Sequence, residues 1–298
     1  MMIHLWRRRR FRDSQEEAAS IFSTEAMRRS WQSIRHNGSA PGVDRVTIRQ
    51  FGRNLDENLA ELREELVRET YEPRPVKRVL VPKPDGGLRP LAIWTLRDRI
   101  AQRVVHDYLV PIVEPRLLDC SYGFRPGRSV SDAVDSVLEA RDSHKRWVVD
   151  ADIKDCFGSL EGRILIKQVK SFVSEDAVVT LIEKWLHARV YNPVRGQPRV
   201  AMASQGGVIT PLLANIYLHP FDAQVMSRAP YGTLVRFADD FVILCRRRQQ
   251  VEMALATARQ ALGGIRLRLN KHKTRLVHFD EGFKFLGVFF LRNEHFYL

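Results

Sequence analysis

Three cysteines in 298 residues, Cys120, Cys156 and Cys245, stand far apart and outside any Cys-x-x-Cys spacing. That argues against a disulfide framework and a zinc module, and fits a reducing compartment. No apolar run approaches the ~20 residues needed to cross a bilayer. Trp6, Arg7 to Arg10, Phe11 and Arg12 lead into no apolar stretch of a secretory signal. The expectation is a cytoplasmic protein with no membrane partner. Acidic residues are also scarce, with 35 Asp plus Glu against 48 Lys plus Arg for a net charge of +13. Arginine supplies 38 of those cations, and its planar fork suits phosphate oxygens, so a polyanionic partner is implied. With 44% hydrophobic and 28% charged residues, the chain can bury a full core in one or two domains and is neither a disordered tail nor a coiled coil.

Periodicity organises the rest. Ser14 and Glu17 make a capping box, and Ile21, Phe22, Trp31 and Ile34 continue as an apolar set, predicting a helix from about 15 to 36. The polar segment His36 to Asp44 reads as a loop. Leu55, Leu59, Leu62 and Leu66 recur at helical spacing. Val76 to Val81 reads as a strand, followed by a turn, Lys83-Pro-Asp-Gly-Gly-Leu-Arg89, that displays two cations. A long helix should start near Leu96. Further on come a strand at 147–153, helices at about 161–187 and 211–227, and two apolar strands within Leu234 to Cys245. A helix at about 250–262 and strands near 274–279 and 284–291 complete the chain. Leaving 161–187 aside, the order β-α-β-β-α-β predicts an α+β fold, a split βαβ (ferredoxin-like) antiparallel sheet with helices on one face.

Between the strands of Leu234 to Cys245 lie Ala238, Asp239 and Asp240. Asp is a common turn residue, so the pair alone can be structural. The split βαβ order, however, can place the Asp152 strand beside this hairpin, with neighbouring strands ~4.8 Å apart. Two like charges ~4 Å apart repel by about 4 kcal/mol at an effective dielectric of ~20. A divalent cation removes that conflict, and oxygen-only ligands favour Mg²⁺. Two such cations are what in-line phosphoryl transfer uses to stabilise attacking and leaving oxygens.

Nine blocks stand in order along the chain. They are Gly38-Ser-Ala-Pro-Gly-Val-Asp44, Val81-Pro-Lys-Pro-Asp-Gly-Gly-Leu-Arg-Pro-Leu91, Arg97-Asp-Arg-Ile100, Ser121-Tyr-Gly-Phe-Arg-Pro-Gly-Arg-Ser129, Asp150-Ala-Asp-Ile-Lys-Asp-Cys-Phe157, Ser204-Gln-Gly-Gly-Val-Ile-Thr-Pro-Leu-Leu-Ala-Asn215, Phe237-Ala-Asp-Asp240, Leu269-Asn-Lys-His-Lys-Thr274 and Phe285-Leu-Gly287. Together they resemble the reverse transcriptases of the group II intron type, over about residues 36 to 291.

The resemblance implies a right-hand polymerase of fingers and palm. It assigns 1–35 to a basic helical extension, 36–105 and 161–205 to fingers, and 106–160 and 206–298 to a palm that ends at primer-grip strands. It implies catalysis by Asp152, Asp239 and Asp240, with Ile153 also among the positions holding two Mg²⁺ ions, for which Mn²⁺ can substitute. Lys83, Arg89, Phe157 and Gln205 would bind the dNTP, with Gly206 and Gly207 letting the backbone approach it. Phe157 would exclude a 2′-hydroxyl unless it is a core residue. Arg125, Arg128, Phe237, Lys273, Phe285, Leu286 and Gly287 would contact an RNA template or a DNA or RNA primer. Asp150 matches no ligand position. Phe237 stands where Tyr is usual, Ser204 where Pro is, and Gly158 where Asp often follows the aromatic.

Eleven residues follow Gly287, whereas intron-encoded relatives continue into a thumb. No complete thumb is therefore expected. That length and the run Phe279 to Val288 suggest the CRISPR-associated lineage, with a CRISPR integrase complex as partner. The alternatives are an intron-type RNA-binding splicing protein and an anti-phage defence reverse transcriptase, which could make untemplated DNA.

Overall fold

The computed structural model describes residues 15–38, 40–82, 86–191, 199–200 and 206–298. The chain forms two compact units, Met1–Val113 with Ile166–Thr210 and Glu114–Leu165 with Pro211–Leu298. The first unit opens with helices α1 (15–21) and α2 (Thr24–His36). These replace the single expected helix because Ser23 turns extended (φ −60°, ψ 151°) and its hydroxyl accepts from the Ala26 N–H at 3.3 Å, capping a new helix. Ser14 of the expected capping box lies outside the described residues. Helices α3 (Ile48–Arg53) and α4 (Leu55–Val67) follow, the latter burying Leu59, Leu62 and Leu66. Strands β1 (Val76–Pro82) and β2 (Leu88–Ile93) pair antiparallel, and α5 (Leu96–Val113) buries Ile100, Val104, Val105 and Leu109.

Asp98 of the Arg97-Asp-Arg-Ile block is fully buried on α5. Its carboxylate accepts from Tyr71 Oη and Thr95 Oγ1, both at 2.5 Å, and Trp185 Nε1 donates to Tyr71 Oη at 3.1 Å. Burial pushes the Asp98 carboxyl up, opposed by these donors. The block is therefore a polar hub of the first unit's core.

The chain then enters the second unit, where α6 (Val130–Asp142) starts from a Ser129–Asp132 capping box and strand β3 (Trp147–Asp152) leads to the short α7 (Cys156–Ser159). Helix α8 (Gly162–Phe172) carries the chain back to the first unit, which continues through α9 (Asp176–Leu186), β4 (Arg189–Tyr191) and β5 (Arg199–Val200). The expected helix over 161–187 is thus two. Ser174 and Glu175 interrupt it, the Glu175 carboxylate accepting from the Ser174 N–H at 3.0 Å in competition with helical bonding. In the first unit's sheet the strands run β2-β1-β4-β5.

The remainder, apart from Thr210, belongs to the second unit: α10 (Thr210–Arg228), β6 (Thr233–Phe237), β7 (Asp240–Cys245), α11 (Arg248–Gly264), β8 (Arg275–His278), β9 (Phe283–Phe285), β10 (Val288–Leu291) and β11 (Glu294–Tyr297). Strands β6-β7-β3-β8 form a four-stranded sheet with every neighbour antiparallel. With α10 and α11 as crossovers, this is the split βαβ order.

The helices do not keep to one face. Phe221 of α10 stacks edge-on against Phe241 at 5.1 Å on one side. On the other, Ala133, Val134 and Val137 of α6 join Val148, Val235, Val242 and Leu244 in a core completed by Phe279, Phe283 and Phe290. Strand β7 is apolar and buried at both parities beyond Asp240, as double cover demands. The expected strand over 284–291 is a hairpin instead: Leu286 and Gly287 take φ 51° and 77°, and Phe285 pairs with Val288. Two consecutive positive φ values are the mark of a tight two-residue hairpin.

Candidate active site

The acidic residues meet through strand register in the second unit. Asp152, last in β3, lies directly opposite Asp240, first in β7. Phe237 pairs with Asp240 to close a turn of Ala238 and Asp239. Ala238 has φ 58°, a conformation that glycine adopts at no steric cost and alanine does not. Three features hold it there. The Ile153 N–H donates to Asp239 O at 3.0 Å and the Tyr122 N–H to Arg236 O at 2.8 Å, and Gly123 packs so closely that a Cβ would lie 2.5 Å from the Ala238 nitrogen.

Beneath the turn lies a group the sequence reading missed. Arg236 is fully buried, with Nε and Nη2 donating to the two Asp222 carboxylate oxygens at 2.7 and 2.6 Å. Nη2 also donates to Ser121 Oγ at 2.7 Å, and Nη1 to Ala238 O at 3.0 Å and Asn215 Oδ1 at 3.2 Å. The available signal was an arginine at an inward parity of an apolar strand, which must bring its own counter-charge.

Asp152 is held on both oxygens: Asn270 Nδ2 donates to Oδ1 at 3.2 Å and Lys273 Nζ to Oδ2 at 2.9 Å. Asp150, on the same face, pairs with Arg275 at 2.5 Å, which accounts for it without a ligand role. Asp240 is pushed up to about 7, first by enclosure and then by the charges on Asp239 and Asp152, although much of its surface stays open. Burial raises Asp239 as well, with Asp152 adding repulsion. The Lys273 ammonium is raised, chiefly by its hydrogen bond to Asp152. Among the described residues, no three acidic, His or Cys side chains stand in metal-holding geometry. The donor chemistry still fits a hard cation: carboxylate oxygens that repel one another and have already drawn in an ammonium.

Other expected residues fall out differently. Arg125 was expected to meet template phosphate, but its guanidinium is buried and makes four internal hydrogen bonds, to Glu114 Oε1, Glu114 O, Leu118 O and Ser121 O, with Nη2 also 2.7 Å from Glu114 Oε1 in an ion pair. In this structure it acts as a structural clamp, its fork turned inward. Phe285, expected at the primer, is a buried core side chain; Leu286, half-buried, and Gly287 form the hairpin turn beside it. Arg128 pairs with Asp119 and lies 5.3 Å over the Tyr122 ring.

Phe237 is half-buried, 6.4 Å from the exposed Phe124 ring. Phe157 on α7 is half-buried rather than in the core. At Gly158 a Cβ would meet Asp155 Oδ2 at 2.5 Å, the tip of an exposed side chain. Arg89 is exposed on β2 of the first unit, while Lys83 and Gln205 lie outside the described residues. Gly206 (φ 125°) and Gly207 are small for an internal reason: added Cβ atoms would lie 2.3 Å from Ala92 O and 2.6 Å from Thr210 Oγ1.

A family model described as "Reverse transcriptase (RNA-dependent DNA polymerase)" matches residues 81–290. Protein YkfC of Escherichia coli K12 is 34% identical over 291 residues, covering 85% of this chain and 76% of its own. Group II intron-encoded protein LtrA of Lactococcus lactis subsp. cremoris is 34% identical over 172 residues, 57% of this chain but 28% of its own length.

Among solved structures, apo telomerase from Candida tropicalis, truncated from its C-terminal domain, superposes with a TM-score of 0.59 at 14% identity over 75% of this chain and 55% of that one. Telomerase from Candida albicans, with a TWJ fragment of telomeric RNA, gives 0.60 at 12% over 83% and 49%. The chain thus spans about half the length of these structures, and the likeness is one of fold, a right-hand polymerase. No helix among the described residues is long and apolar enough to cross a membrane.

Proposed function

The chain belongs to the reverse transcriptase family, the RNA-directed DNA polymerases, and we propose that it extends a DNA or RNA primer along an RNA template by two-metal phosphoryl transfer at Asp152, Asp239 and Asp240. The observation that carries this is the register opposing Asp152 and Asp240, with Asp239 in the turn between the strands. Bound there, two Mg²⁺ ions, or Mn²⁺ in their place, would supply electrostatic stabilisation to the attacking and leaving oxygens. The protein's own part is to hold the carboxylates together, on a turn braced by Gly123 and Arg236, and to seat the substrates. The primer 3′-hydroxyl attacks the α-phosphorus of the dNTP and pyrophosphate leaves.

We assign the fingers role to the first unit and the palm role to the second. Lys83, Arg89 and Gln205 would receive the nucleotide, and Arg128 and Phe237 the template-primer. The test is extension of a primed RNA template with dNTPs and Mg²⁺. Product that forms equally well without template would mean untemplated synthesis, and binding without synthesis would mean a non-catalytic scaffold.

Phe157 is proposed as the gate against ribonucleotides. Phe157→Ala should raise rNTP use relative to dNTP about 10- to 100-fold, the equivalent of relieving ~1–3 kcal/mol of overpacking. Competition between the two on one primer measures it, and unchanged discrimination would make Phe157 a packing residue.

The finer setting we propose is spacer acquisition from RNA beside a CRISPR integrase, supported by the run Phe279 to Val288. The similarity to LtrA favours a second reading, an intron-type splicing protein. Co-purification of an integrase supports the first; stimulation of intron splicing supports the second.

A further inference from the structure

We propose that Lys273 is a placeholder for the divalent cation, neutralising Asp152 while no metal is bound and leaving that carboxylate when one enters. The inference rests on the proposal that Asp152 is a metal ligand. Both oxygens of Asp152 are taken, Oδ1 by the Asn270 amide and Oδ2 by the Lys273 ammonium, so a cation reaching Oδ2 must compete with Lys273. The amide is neutral and can stay; the ammonium is a like charge and cannot.

The two cations beside β3 are built differently. Arg275 lies in β8 directly opposite Asp150 and is fixed by the ladder. Lys273 lies off the ladder in the turn before it. Its base is pinned, since the Lys273 N–H donates to Asn270 O at 3.2 Å and Thr274 Oγ1 to the same oxygen at 2.7 Å, while the Asn270 N–H holds Asp152 O at 2.8 Å. Its side chain is 62% exposed, so its tip can leave at little cost, as expected of a solvated ion pair on a flexible stem.

Metal affinity at this site is therefore a competition that Lys273 sets. The experiment is Mn²⁺ titration of the full chain without nucleic acid, read by electron paramagnetic resonance. Lys273→Met should bind Mn²⁺ about 3- to 10-fold more tightly, the range that loss of an exposed competing charge allows. Lys273→Arg should restore near wild-type affinity, and Lys271→Met, an exposed neighbour, should leave it unchanged. Equal or weaker binding by Lys273→Met overturns the placeholder role. Mn²⁺ binding that survives Asp152→Asn unchanged overturns the ligand assignment beneath it, and the inference with it.

Discussion

Asp239→Asn is expected to lower primer extension by about 10³-fold or more, the scale of removing a preorganised electrostatic group from an active site, while the protein keeps or gains thermal stability. The two halves of that result separate chemistry from folding. Asp239 holds the turn through its backbone, whose carbonyl accepts from the Ile153 N–H at 3.0 Å, and Asn preserves that bond. What Asn removes is a carboxylate raised by burial and by repulsion from Asp152, so the metal-free fold loses a conflict. Asp152→Asn should lose activity similarly but without the gain in stability, because it also loses the ion pair with Lys273. Extension near the wild-type rate by either variant would remove both residues from the proposed site. A melting curve beside the extension assay decides between a lost ligand and a lost fold.

The largest expected effect on stability lies one layer below. Asp222→Ala leaves the Arg236 guanidinium charged, fully buried and without its carboxylate partner. Breaking a buried pair from one side costs about 3–5 kcal/mol, a shift in melting temperature on the order of 10 °C for a unit of this size. Activity should fall as well, since Nη1 of the same guanidinium holds Ala238 O at 3.0 Å. The double variant Asp222→Leu with Arg236→Met should recover much of the stability, because removing both charges leaves none stranded. It should not recover activity, for with Arg236→Met the Ala238 carbonyl loses its donor. Thermal denaturation of the two variants checks the first claim and primer extension the second; a single variant as stable as wild type would show that Arg236 finds other compensation.

Asp152, Asp239 and Asp240 were legible in the sequence because strand parity and a two-residue turn are local properties, and the β-α-β-β-α-β order limits which strands can neighbour one another. The resemblance over nine blocks marked Lys273 and Asn270 as belonging to a motif, yet not that both would lie on Asp152. Arg125 shows what the sequence could not supply. An arginine in a glycine-bearing loop looks like a phosphate contact, and only the tertiary structure shows its guanidinium buried and bonded to Glu114, Leu118 and Ser121. At the glycines at 206 and 207 the structure adds an internal reason for smallness, the closeness of Ala92 and Thr210.

The sequence by itself determined the α+β class, through periodicity, and the family, through the resemblance carried by its nine blocks, and it singled out the carboxylates proposed for the site. It did not determine the break at Ser23, the second covered face of the sheet, the hairpin at Leu286–Gly287 or the buried Arg236–Asp222 pair. Those were decided by tertiary structure, because each depends on which distant groups arrive to satisfy a donor, a charge or an apolar face. That choice is made by burial, where an unpaired charge or an open apolar face costs free energy that no local pattern records.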